Sequence, residues 1–123
     1  MDLRRLAGVG HALASTPGMG SLVAWYGAGL TINNTQFSIE ADAARIAKPV
    51  LILHGDLDQP GLTSFARKFA SARKSAGKQV ELVIYPGVGH AWDQPRSPIY
   101  VYDANATADA RSRTIAFFTA AAR

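Results

Sequence analysis

The stretch Pro49–Pro60 reads PVLILHGDLDQP, and its counterpart Glu81–Pro95 reads ELVIYPGVGHAWDQP. Both are short apolar runs that end at a turn signal, Gly55 in the first and Pro86-Gly87 in the second. The run Pro49–His54 is almost continuously apolar, as expected of a strand covered on both faces of a parallel sheet. Gln79–Tyr85 is rich in β-branched and aromatic residues and reads as a second strand. Between them, Leu62–Ala76 places Leu62, Phe65, Ala66, Phe69 and Ala76 on one helical face, with Gly77 as the stop. Strand, helix and strand form a βαβ unit, whose crossover is right-handed and whose strands are parallel.

Outward from this unit the reading continues. Ser21–Tyr26 (SLVAWY) is a third strand that ends at Gly27. Residues 3–14 and Glu40–Ile46 have weak helical patterns, and Ala106–Ala122 forms a closing helix after the Pro- and Asp-rich loop Gly87–Asp103. The expected fold class is α/β, a short parallel sheet of about three strands flanked by helices. No repeat or composition shift divides the chain, so residues 1–123 read as a single domain.

Composition narrows the function classes. Apolar residues are 48 % of the chain and charged residues 18 %, which places it among globular rather than disordered chains. There is no cysteine, so a disulfide scaffold, a cysteine-rich zinc site and a Cys nucleophile are excluded. No stretch has the length or apolarity of a signal peptide or membrane span, so a cytoplasmic location is expected and no membrane partner. The net charge of +4 draws on Arg67, Lys68, Arg73, Lys74 and Lys78, which share one amphipathic segment without interleaved surface aromatics. A solvated helix face explains them better than nucleic acid does. No His and carboxylate pair has metal-ligand spacing, and no Gly pair has the context of a phosphate loop, so neither a metal nor another cofactor is expected. His54, at the end of a buried strand, reads as a satisfied core histidine.

Two residues carry chemistry. Asp58 follows one strand and His90 follows the next, so parallel neighbours about 4.8 Å apart bring both loops out at the same carboxyl edge. Open α/β sheets bind their ligands at that edge. There a carboxylate can orient an imidazole and stabilise its protonated form. The order, acid before histidine, also suits an α/β-hydrolase.

PVLILHGDLDQP, ELVIYPGVGHAWDQP, VAWYGAGL and the tail YDANATADARSRTIAFF together resemble the dienelactone hydrolase family in content, order and spacing. The resemblance covers the chain from about residue 20 onward and implies the C-terminal half of that fold, a truncated α/β-hydrolase. It puts the catalytic acid on Asp58 and the catalytic histidine on His90, makes Asp56 a loop or capping residue, and places Trp92 and Arg96 among substrate-binding residues. The family's nucleophile elbow has no counterpart. Gly10-His11-Ala12-Leu13-Ala14 mimics one with Ala12 at the nucleophile's position, and residues 3–15 read instead as the helix that follows an elbow. Ser15, Ser21 and Ser97 are poor substitutes. The expected function is therefore a dienelactone-hydrolase-like chain with acid and histidine but no nucleophile, and no independent ester hydrolysis. A small-molecule binding or assembly module, and a hydrolase completed by another chain, stay open as alternatives. A small carboxylate or lactone is the expected ligand. The apolar edge of Ser21–Tyr26, or an uncovered sheet face, implies a homo-oligomer.

Overall fold

The structure is a computed structural model that describes residues 21–26, 31–32, 35–36, 43 and 48–121. Its sheet contains β1 (Leu22–Trp25), β4 (Val50–Gly55) and β5 (Val80–Tyr85) in the order β1-β4-β5, all parallel. β4 is central and buried along its whole length, which is why its sequence is apolar without alternation. A separate antiparallel pair of two-residue strands, β2 (Thr31–Ile32) and β3 (Thr35–Gln36), was not expected from the sequence. Such short strands leave no periodicity to read.

Alternation along the strands sorts the core into two layers. Leu22, Ala24, Val50, Ile52, Val80 and Leu82 pack toward α1 (Pro60–Ser75) against Ala66, Phe69 and Ala70. The intervening residues Val23, Leu51, Leu53 and Tyr85 pack toward Trp92 and α2 (Ala104–Ala121), where Ala106 and Ala110 meet them. Among the described residues α1 thus covers one face of the sheet, together with the helical Ala43, and α2 the other.

The helices start and stop as their sequences dictate. Pro60 opens α1, and Gly77, at φ 71°, follows its C-cap Ala76 in the left-handed region open to glycine. Asp103 caps α2 by accepting the Ala106 N–H at 2.7 Å. One basic residue leaves its expected place. Arg73, read as part of a solvated face, is fully buried. Its guanidinium donates to the carbonyls of Ala43, Lys48 and Gln79, which binds the entries of β4 and β5 together. Carbonyls at strand entries lack ladder partners, and a fork of N–H donors can serve several at once. Of the helix expected at Glu40–Ile46 only Ala43 is described, helical and buried. The helix expected at residues 3–14, and with it Ala12 and Ser15, lies outside the described residues.

Candidate active site

Strand register decides what meets at the carboxyl edge. Gly55 pairs with Tyr85, so the loops after β4 and β5 leave the sheet at the same level. Backbone bonds then lace them together. Asp56 N–H donates to Tyr85 O at 3.1 Å, Leu57 N–H donates to Val88 O at 2.9 Å, and Gly87 N–H donates to Asp56 Oδ1 at 2.7 Å. Asp56 is therefore a loop-tying residue, as the resemblance implied. Gly55 permits this closeness, because a Cβ there would stand 2.1 Å from Val88 O.

The lacing brings Asp58 Oδ2 to 2.8 Å from His90 Nδ1. Asp58 is held from its other oxygen too, since Oδ1 accepts the Gln59 N–H at 2.7 Å just ahead of α1. That position, before a helix N-terminus, favours a negative charge. A carboxylate can only accept, so Nδ1 carries the proton and Nε2 keeps a free lone pair. The acid's side chain is 1 % exposed and the imidazole 24 %, which leaves the histidine accessible and its orienting partner dry.

Two tyrosines hold the imidazole laterally. The Tyr26 ring lies 5.0 Å from that of His90 and the Tyr100 ring 5.1 Å. The buried Tyr26 hydroxyl donates to Asp93 Oδ1 at 2.9 Å, and burial together with that bond pushes its pKa up to about 12. Tyr26 has φ 38° and Ala91 φ 51°, a conformation that costs energy for both residue types and recurs at functional sites. A cavity of about 240 Å³ opens beside the pair, lined by Leu57, Asp58, Gln59, Leu62, His90 and Tyr100.

The remaining expectations fare differently. His54 is fully buried, as a core residue should be, but it is not satisfied. Its Nε2 lies 3.1 Å from Asp58 Oδ2, off the line of a hydrogen bond, and neither ring nitrogen has a hydrogen-bond partner. Burial pushes its pKa down more strongly than Asp58 raises it, and His90 and Arg67 lower it further, so the ring is held neutral. Trp92, expected at the pocket wall, is fully buried instead and packs against Trp25, Tyr26 and Tyr85 beneath the site. A large aromatic next to a catalytic-looking histidine carried no signal to separate wall from core. Arg96 is exposed and does not line the cavity. Ser97 turns its hydroxyl into its own loop, accepting the N–H groups of Ile99 at 3.2 Å and Tyr100 at 3.0 Å. Ser21 stands at the amino end of β1, the opposite edge from His90. Among the described residues no group of three or more His, Cys, Asp or Glu could hold a metal ion. No helix among them is long and apolar enough to cross a membrane.

Comparison with known proteins places this fold. A family model described as the dienelactone hydrolase family matches residues 7–122. A protein of Escherichia coli O157:H7 assigned as a carboxymethylenebutenolidase is 29 % identical over 90 residues, covering 71 % of this chain and 33 % of its own length. A crystal structure from Klebsiella pneumoniae, of a protein assigned as a dienelactone hydrolase, superposes with a TM-score of 0.76 at 25 % identity. The match covers 89 % of this chain and 46 % of that one. A dienelactone-hydrolase-like promiscuous phosphotriesterase from metagenomic libraries shares the fold, with a TM-score of 0.63 at 18 % identity over 87 % of this chain and 44 % of its own. The chain thus spans about a third of the curated relative and under half of the solved ones.

Proposed function

This chain belongs to the dienelactone hydrolase family, and from that premise we propose that Asp58 and His90 are the acid and the proton-carrying histidine of a site for ester or lactone cleavage. The observation that carries the reading is the 2.8 Å contact between Asp58 Oδ2 and His90 Nδ1 at the carboxyl edge of adjacent parallel strands. In this arrangement Asp58 fixes the tautomer that leaves Nε2 free to accept a proton from an attacking hydroxyl or thiol. The imidazolium formed is stabilised by the buried carboxylate. It then returns its proton to the leaving oxygen when the tetrahedral intermediate collapses.

On this reading the nucleophile is supplied from outside these 123 residues. There is no cysteine, Ala12 occupies the only elbow-like position, and Ser97 and Ser21 are placed as described above. By itself the 123-residue chain, read as cytoplasmic, hydrolyses no ester. A segment bearing an elbow, outside these 123 residues, would complete the site. Favouring completion over a purely structural tie is the exposure of the imidazole beside a cavity while its acid is buried.

An activated chromogenic ester tests this directly. The pure chain and its His90→Ala variant are expected to give the same rate, because an acid and base without a nucleophile confer only stray binding and dipole effects. A His90-dependent rate with a burst phase would overturn the reading and direct attention to Ser97.

A further inference from the structure

Asp58 stands against two histidines, not one. Alternation along β4 turns His54 to the same face as Val50 and Ile52, the face that α1 covers, and so toward the carboxylate just ahead of that helix. A single oxygen, Asp58 Oδ2, therefore has two imidazole nitrogens beside it, His90 Nδ1 at 2.8 Å and His54 Nε2 at 3.1 Å. The two rings are not equivalent. His90 is partly exposed and keeps its Nε2 for the reaction. The His54 side chain is fully buried, and among the described residues neither of its nitrogens has a hydrogen-bond partner.

Charge decides which nitrogen of His54 carries its proton. Burial above all, with His90 and Arg67 behind it, outweighs the pull of Asp58 and keeps the ring neutral. A neutral imidazole has one N–H and one bare lone pair. A bare Nε2 would set its lone pair against an acceptor at 3.1 Å. A proton on Nε2 turns the same contact into an attraction, even off the line of a full hydrogen bond. Asp58 thus selects Nε2–H in His54 as it selects Nδ1–H in His90.

Resting on the reading that Asp58 and His90 are the site's acid and histidine, we infer that His54 is a positioning residue of that pair: its Nε2–H beside Asp58 Oδ2 keeps the acid a charged acceptor and the shared proton on His90 Nδ1. Burial favours the neutral form of a carboxyl group, and the donors around it oppose that. Asp58, whose side chain is 1 % exposed, has the Gln59 N–H on Oδ1 and His90 Nδ1–H on Oδ2. When His90 takes a second proton on Nε2, its Nδ1 proton is drawn toward Oδ2. A further N–H dipole at that oxygen makes it a poorer base. The Nδ1 proton then stays on the ring, and His90 can return the other from Nε2.

Isotope labelling of the histidine ring nitrogens reads each tautomer in the folded chain, in mildly alkaline buffer. His54 is expected to favour Nε2–H by roughly fivefold or more, the preference that one modest polar contact confers. His54 with a bare Nε2 would overturn the inference, and this measurement needs no variant. His54→Phe keeps bulk and removes the donor, so the His90 Nδ1–H resonance is expected to move downfield as its bond to Asp58 takes the whole charge. His54→Gln, whose amide N–H reaches about as far as Nε2, is expected to restore the parent resonance. A resonance that stays put or moves upfield in His54→Phe would reduce His54 to core filling, and so would a glutamine that restores nothing. Failure of the proposed reaction has its own signature. His90 carrying its proton on Nε2 in the parent chain would sink the acid–histidine pair itself, whereas the wrong tautomer at His54 leaves that pair standing.

Discussion

Gly55 shows how much of the site rests on one missing methyl. Its position against Val88 O lets the loop carrying His90 cross the end of β4, and an alanine Cβ would meet backbone rather than a side chain that could turn away. Gly55→Ala is therefore expected to cost roughly 1–3 kcal/mol, the range for overpacking a tight site. Denaturant unfolding measures it, and the Asp58–His90 contact should loosen in the same variant, seen as altered His90 ring shifts. His54 yields a second expectation. Its pKa is lowered in the folded chain from 6.5, so the unfolded chain binds the proton that the fold refuses. Stability is then highest above that value and falls as the pH drops from about 6.5 toward the folded value. Melting temperatures at pH about 7 and about 5 should differ less in His54→Phe than in the parent. An undiminished difference would count against a neutral buried ring. Asp58 and His90 were legible in the sequence because strand ends and parallel order alone predict a shared edge. The burial of Trp92 and the orphaned nitrogens of His54 were not, because they depend on which way a loop folds back.

At the scale of elements, the three longer strands and both long helices were legible because each buries a face that composition must match. The all-apolar β4 and the spaced Phe65 and Phe69 of α1 are such signatures. Arg73 was misread for the converse reason. A basic residue in a helix is usually solvated, and nothing local says that carbonyls from three separate segments converge on it. Its removal should be felt by the whole βαβ unit. Arg73→Met leaves the carbonyls of Ala43, Lys48 and Gln79 without their donor, and the expected loss is about 2 kcal/mol or more. Arg73→Lys should recover little of it, because one ammonium cannot span the fork's reach. Thermal unfolding of the pair decides the point. A lysine variant as stable as the parent would reduce the clamp to simple charge burial.

At the scale of the whole molecule, the described part of the sheet ends at β1. Among the described residues β1 pairs only with β4, so the other side of Leu22–Trp25 presents backbone N–H and C=O groups without a ladder partner. Neither lysine nor proline interrupts that strand, although such residues are the usual guard against pairing between chains. The flank of the edge is apolar as well. Trp25 Nε1 donates to Thr114 Oγ1 at 3.0 Å, which ties β1 to α2 near Ile115 and Phe118, and these are 67 % and 47 % exposed. A strand edge with no partner among the described residues, beside an exposed apolar helix stripe, suits a two-fold partner, with β1 of each copy antiparallel and the α2 stripes meeting beside it. Strand pairing over four residues is too small alone, and the helix contact is needed to approach the roughly 1,000 Å² that a stable interface buries. The chain is accordingly expected to run as a dimer or larger homo-oligomer in light scattering at micromolar concentration. Charging the stripe should separate the copies without unfolding them, since neither side chain belongs to the core. Ile115→Lys combined with Phe118→Lys is expected to give a monomer whose circular dichroism matches the parent. A parent chain that is already monomeric would refute the edge contact, and so would a lysine variant that stays dimeric.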